Sequence, residues 1–180
     1  MRAERIALVG LRGSGKTSVG RLVADALGWA FADTDADVEL VAGRPVADLF
    51  REHGEAGFRE LEALAVGGRM AYSRLVLATG GGAVLRADNR LALKGCGLVA
   101  WLTAPPAVLW ARTEADPLTA ARRPALTAGG GPAEAEELLR VREPLYREVA
   151  SHTFDTAGRS PTEVAAAILH AWRTPGERGA

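Results

Sequence analysis

Lysine is almost absent: Lys16 and Lys94 are the whole supply, against twenty arginines in a chain of 180 residues. Cysteine is rarer still. The single Cys96 excludes an intramolecular disulfide and leaves no thiolate set for a metal. Its place between two glycines, just before an apolar run, marks it as a small packing residue. Charge of one sign is also lacking, since acidic and basic side chains balance to a formal net charge of zero. That balance argues against the general basic footprint of a nucleic-acid or membrane-surface binder, so any anion site must be local. No apolar run approaches the roughly 20 residues of a membrane span. The N-terminus passes into Ile6-Ala7-Leu8-Val9 with no signal-peptide h-region. The expectation is a cytoplasmic protein with neither membrane nor nucleic acid as partner. His53, His152 and His170 fall in no motif and do not cluster, so all three read as structural.

The length suits one domain that buries its core unaided, and no internal repeat is evident. Short apolar runs alternate with amphipathic stretches, the pattern of βα units that build a parallel sheet covered by helices on both faces. Strands are expected at Arg5–Val9, Ala30–Ala32 ending at Asp33, Leu75–Ala78, Leu98–Leu102 and Thr153–Asp155. Helices are expected from Lys16 to Leu27 with Gly28 as the stop, from Pro106 to Thr113, from Ala133 to Val149 and from Pro161 to Trp172. Residues 34–70 read as a mostly helical substrate-side subdomain starting near Ala36, with breaks at Gly43-Arg44-Pro45 and around Gly54 to Gly57. Residues 114–132 are rich in Ala, Thr, Gly, Pro and Arg without apolar periodicity and read as a lid-type loop. Residues 174–180 read as a frayed tail.

The strongest signal is Gly10-Leu11-Arg12-Gly13-Ser14-Gly15-Lys16-Thr17, which matches G-x-x-x-x-G-K-[ST] between a predicted strand and a predicted helix. Glycines let backbone N–H groups close around phosphate oxygens, and the helix N-terminus adds partial positive charge. Lys16 reaches the β and γ oxygens and Thr17 ligates Mg²⁺. Gly13, Ser14, Gly15, Lys16, Thr17 and Ser18 are thus the expected ATP-binding run. The fold class is α/β, a three-layer P-loop NTPase type with about five parallel strands. A GTPase would carry N-K-x-D, whereas Asn89 is followed by Arg90. A motor ATPase would end a strand in adjacent acidic residues, whereas Leu75–Ala78 runs into Thr79 and Gly80-Gly81-Gly82. Transfer of phosphate to a small molecule is favoured.

Asp33-Thr34-Asp35 follows the second strand at its carboxyl end, where open α/β sheets bind ligands. One carboxylate can hold Mg²⁺, and the other can accept a hydroxyl proton or orient the hydroxyl for in-line attack. The competing reading is that Asp35 merely caps the next helix.

Taken in order, G-L-R-G-S-G-K-T, D-T-D, Gly57-Phe58-Arg59-Glu60, Gly80-Gly81-Gly82-Ala83, Arg123-Pro124 and Arg142-Glu143-Pro144-Leu145-Tyr146 resemble the motif set of shikimate kinases, from about residue 5 to 170. The resemblance implies transfer of the ATP γ-phosphate to the 3-hydroxyl of shikimate, giving shikimate 3-phosphate and ADP in aromatic amino-acid biosynthesis. It implies that Arg59 and Arg142 grip the substrate carboxylate, which a guanidinium fork suits. It further implies that Asp35 holds ring hydroxyls and acts as base, that Gly80, Gly81 and Gly82 line the ring face, and that Asp33 serves Mg²⁺ beside Thr17. Arg123 is the match to a lid arginine that folds over the phosphates, with Arg122 as a rival. The lid stretch is longer than the family pattern. Arg112 matches an arginine stacked on adenine and Arg159 a loop on the other side of the nucleotide. A monomer is the default.

Two other readings stay in view. A kinase for another polyol acid, such as gluconate, shares the phosphate loop, but Arg59, the triple glycine and R-E-P-L-Y weigh against it. A nucleotide switch would keep Lys16 and Thr17 with no reason to keep Asp33, Asp35, Arg59 and Arg142 together.

Overall fold

The computed structural model describes residues 3–115 and 131–174. Five strands, β1 (Arg5–Val9), β2 (Ala30–Asp33), β3 (Leu75–Ala78), β4 (Leu98–Thr103) and β5 (His152–Asp155), form one parallel sheet in the order β2-β3-β1-β4-β5. Around it lie α1 (Lys16–Leu27), α2 (Thr34–Ala42), α3 (Val46–Arg69), α4 (Ala87–Lys94), α5 (Pro106–Ala115), α6 (Gly131–Val149) and α7 (Pro161–Arg173), with a 3₁₀ turn at Ala83–Leu85.

The central strands are apolar at successive positions because both of their faces are covered. On one face Ile6 and Leu8 pack with Val19 and Val23 of α1 and Val164 and Ile168 of α7. On the other, Ala7 and Val9 pack with Leu93 of α4, Leu109 of α5 and Tyr146 of α6. Ile6 and Leu8 have no exposed surface, and burial of each side chain contributes about 1.5–3 kcal/mol. Close approach of α1 to the sheet depends on Gly20, where a Cβ would come within 2.6 Å of the Phe31 ring. Gly28 ends that helix as expected, its N–H reaching the carbonyls of Ala24 and Asp25.

Residues 34–69 carry a small core of their own, with Val38, Val46, Leu49 and Phe58 buried together. The chain departs from the sequence reading here in one way. Helix α2 starts at Thr34 rather than near Ala36, because the carboxylate of Asp33 accepts from the N–H of Asp35 and caps the helix two residues early. The break expected around Gly54 to Gly57 is present as a kink in α3 at Gly54, whose φ of 66° and ψ of −176° belong to a backbone region that only glycine visits freely.

Helix α4 went unanticipated; its eight residues hold too few apolar positions to display a helical period. Of the proposed lid, Glu114 and Ala115 belong to α5 and Gly131 and Pro132 to α6. Residues 116–130, with Arg122 and Arg123, lie outside the described residues, as do 175–180 of the proposed tail. Thr174 closes α7 through its N–H to the His170 carbonyl. Among the described residues no helix is long and apolar enough to cross a membrane.

Candidate active site

Sheet register sets the site. Leu8, Ala78 and Asp33 occupy one rung across β1, β3 and β2. The glycine loop from Gly10, the turn after Ala78 and the D-T-D turn therefore leave the carboxyl edge side by side. The chain runs from β1 out to β2, returns to β3 and crosses β1 to β4, so this edge lies at a reversal of strand order, where open α/β sheets hold ligands. A cavity of about 410 Å³ opens there, lined by residues 12–19 together with Asp33, Asp35, Thr79, Gly81, Arg112 and Arg159 among others.

The loop wraps this space with backbone. Gly13 has φ 77°, and a Cβ on it would lie 2.2 Å from the Leu109 carbonyl oxygen, so the loop's seat against α5 admits glycine alone. Gly15 is the N-cap of α1, with no side-chain cap and no acidic residue in the first turn. The helix thus offers its amide groups and dipole to an anion. Lys16 Nζ donates to the Leu11 carbonyl at 2.8 Å and lies 3.3 Å from Ser14 Oγ, held over the loop.

Thr17 Oγ1 donates to Asp33 Oδ2 at 2.8 Å, and Asp33 Oδ1 accepts from the N–H of Asp35 at 3.0 Å. A hydroxyl and a carboxylate adjoining a phosphate loop fit the hard oxygen ligands that Mg²⁺ takes, the rest of its shell coming from phosphates and water. Among the described residues no group of three or more His, Cys, Asp or Glu could hold a metal unaided. Asp35 sits in the first turn of α2 and lines the same cavity, so D-T-D brings one capping and one non-capping carboxylate to it.

Of the residues expected to meet the acceptor, Asp35 and Gly81 line this cavity, whereas Arg59, Gly80, Gly82 and Arg142 do not. Gly80 N–H donates to buried Thr34 Oγ1 at 2.9 Å, tying the glycine turn to D-T-D. A Cβ on Gly82 would fall 2.1 Å from Arg59 Nη2, so the guanidinium occupies the space a larger residue would need. Arg59 is buried on α3 and donates to Glu62 Oε2 at 2.7 Å and Glu55 Oε1 at 2.9 Å. Burial opposes its charge, but the Glu62 carboxylate and the bonds to Glu62 and Glu55 outweigh that, leaving its pKa above the ordinary arginine value. Arg142 is buried on α6, one turn before Tyr146, whose hydroxyl donates to the Gly81 carbonyl. Tyr146 stacks on Trp101 of β4.

Within the cavity lining, Arg112 donates to Thr156 Oγ1 at 2.8 Å and to the Thr156 carbonyl at 2.7 Å. Arg159 reaches the carbonyls of Asp155 and Glu163 at the start of α7, where Ser160 and Glu163 form a capping box. Sequence reasoning passed over Arg12, Thr34, Thr79, Thr113 and Thr156. Thr34 could have been found as the middle of D-T-D and Arg12 as the charged residue other than Lys16 in the loop motif, whereas nothing in the sequence marks Thr156.

The family model for shikimate kinase matches residues 12–173. A shikimate kinase of Oleidesulfovibrio alaskensis is 49% identical over 152 residues, covering 84% of this chain and 88% of that protein. Among solved structures, shikimate kinase from Acinetobacter baumannii in complex with shikimate superposes with a TM-score of 0.90 at 37% identity, covering 98% of this chain and 96% of that one. A gluconokinase from Sinorhizobium meliloti shares the fold at a TM-score of 0.63 and 21% identity, over 96% of this chain and 94% of that one.

Proposed function

The chain belongs to the shikimate kinase family, and from that membership we propose how its residues divide the work of moving the γ-phosphate of ATP onto the 3-hydroxyl of shikimate. The products are shikimate 3-phosphate and ADP, in aromatic amino-acid biosynthesis. The observation that carries the assignment of roles is the meeting of the phosphate loop, the Thr17–Asp33 pair and Asp35 around one cavity.

Residues 13–18 bind the triphosphate through backbone amides, and Lys16 turns its ammonium from the Leu11 carbonyl to the β and γ oxygens. Thr17 and Asp33 would hold Mg²⁺, which supplies charge neutralisation at those oxygens when bound. Asp35 orients the acceptor hydroxyl and takes its proton as the new P–O bond forms and the bond to ADP breaks. Arg59 and Arg142 hold the acceptor carboxylate, and the turn at 80–82 backs the ring. Residues 34–70 serve as the acceptor subdomain. Arg112 and Arg159 flank the base. Arg123 is assigned to the phosphates from sequence alone. No covalent intermediate is needed, because positioning and charge suffice for this transfer. A monomer is the default assembly, and a chain with one cysteine suits a cytoplasmic setting.

The test is coupled ADP release by purified protein with MgATP and, in turn, shikimate, quinate, gluconate or buffer. Strong stimulation by shikimate alone is expected. Stimulation by gluconate instead would transfer the acceptor assignment, and no stimulation by any acid would leave a nucleotide-binding protein without acceptor chemistry.

A further inference from the structure

Arg12 stands inside the phosphate loop at a position where the binding of phosphate by backbone asks for no particular side chain. Its guanidinium donates to the carboxylate of Glu134, whose side chain has no exposed surface, and lies 5.9 Å from the centre of the Trp110 ring. The loop is thereby joined to α5 and to the first turn of α6. A carboxylate that has lost its water is costly unless a cation meets it, so each partner fixes the other's place.

Helix α6 extends this contact toward the acceptor. Glu134, Leu138, Arg142 and Tyr146 recur every four residues, a stripe that drifts about 40° around the helix at each step. At about 1.5 Å per residue, roughly 18 Å of helix separates the Arg12 contact from the Tyr146 contact with the Gly81 carbonyl. The circuit then closes, because a Cβ on Gly81 would lie 3.4 Å from the Gly10 carbonyl oxygen and 3.5 Å from the Arg12 nitrogen. Loop, helix and glycine turn form a ring of contacts, with buried Arg142 on the helix between the Glu134 and Tyr146 contacts.

The geometry points to Arg12 as a positioning residue for phosphoryl transfer: its ion pair with Glu134 sets the height of α6 against the phosphate loop, and with it the placing of Arg142 and the 80–82 turn relative to the γ-phosphate. This rests on the shikimate kinase reading given above. A misplacement of about 1 Å between reacting groups costs about a hundredfold in rate, so the pair acts on turnover more than on binding of either substrate.

The experiment compares kcat, both KM values and Tm for wild type, Arg12→Met, Arg12→Lys, Glu134→Gln and the double variant R12M/E134M, with MgATP and shikimate. Arg12→Met and Glu134→Gln are expected to lower kcat at least about tenfold with both KM values within about threefold. Arg12→Lys is expected to recover most of kcat. The double variant, which removes both charges of the pair, is expected to regain Tm while kcat stays as low as in either single variant, the mark of groups acting as a unit. Unchanged kcat in the single variants, or kcat restored together with Tm in the double, would reduce the pair to a structural contact. A rise in the KM for ATP alone would make Arg12 a phosphate ligand instead. A wild type that shikimate does not stimulate would defeat the functional reading, and the positioning role with it.

Discussion

Thr17 of α1 and Asp33 at the start of α2 are joined by a hydrogen bond of 2.8 Å between hydroxyl and carboxylate, while the second oxygen of Asp33 caps α2 through the Asp35 N–H. One side chain therefore makes two separable contacts. Capping requires only an acceptor atom, whereas the role toward a cation proposed for Asp33 needs the negative charge.

Asparagine caps helices as well as aspartate does but carries no charge. Asp33→Asn is expected to keep Tm within about 1 °C while raising the Mg²⁺ concentration needed for half-maximal turnover at least about tenfold. Asp33→Ala is expected to lose about 1 kcal/mol of stability as well. Thermal denaturation beside a Mg²⁺ titration of activity checks both. Equal Mg²⁺ dependence in wild type and Asp33→Asn would take Asp33 out of the metal site.

The contrast between Asp33 and Arg59 shows how much could be read from sequence. The strands, α1 with its glycine stop and the phosphate loop were legible because each rests on local pattern, an apolar run or a glycine at a fixed offset. D-T-D was legible as a pair of carboxylates, but which one caps depends on a single backbone bond, and Asp33 rather than Asp35 makes it. Arg59 was legible as a cation; its enclosure by Glu62 and Glu55 and its seat over Gly82 were not. Those contacts span a turn of helix in one case and distant segments in the other. Nor could the Arg12–Glu134 pair be foreseen, since its partners stand 122 positions apart.

Glu55 offers a test of the acceptor role proposed for Arg59. It sits one turn before Arg59, about half exposed, with its carboxylate on the guanidinium nitrogen Nη2 at 2.9 Å. A substrate carboxylate seeking Arg59 must share that cation or displace Glu55. Glu55→Gln removes the competing charge while Glu62 keeps Arg59 paired, and the KM for shikimate is expected to fall about two- to fivefold with little change in the KM for ATP. An unchanged or raised KM for shikimate would mean that Glu55 does not compete for the site.

Cys96 is governed by burial, which pushes its thiol up to about 11 from an ordinary 9.0, the charge of Arg5 working the other way. The thiolate is the nucleophile, so iodoacetamide at pH 8 is expected to label native protein far more slowly than protein unfolded in urea. The folded state holds the proton more tightly than the unfolded one. The stabilising contribution is therefore complete below about pH 9 and is lost as pH climbs from 9 toward 11. Urea midpoints measured across that window for wild type and Cys96→Ala isolate it, because the other titrating groups are common to both. Parallel curves would mean that partial burial does not raise the thiol pKa.

Gly82 gives the sharpest geometric test of the acceptor side. A Cβ there would lie 2.1, 2.2 and 2.5 Å from three atoms of the Arg59 guanidinium, so Gly82→Ala cannot be accommodated unless that group moves. Movement is possible, since the contact is with the end of a long side chain, but it must pull Arg59 from Glu62, which has no exposed side-chain surface. The phosphate loop is untouched, because Gly82 does not line the cavity that Lys16 and Thr17 face. The KM for shikimate is expected to rise at least about tenfold, equivalent to about 1.4 kcal/mol, while the KM for ATP stays within about twofold. A stability loss of about 1–3 kcal/mol is expected beside it, from the disturbed buried ion pair. Steady-state kinetics with each substrate varied in turn, together with urea denaturation, separates these effects. A matching rise in both KM values would show that the 80–82 turn supports the whole site, and no rise in either would remove Arg59 from acceptor recognition.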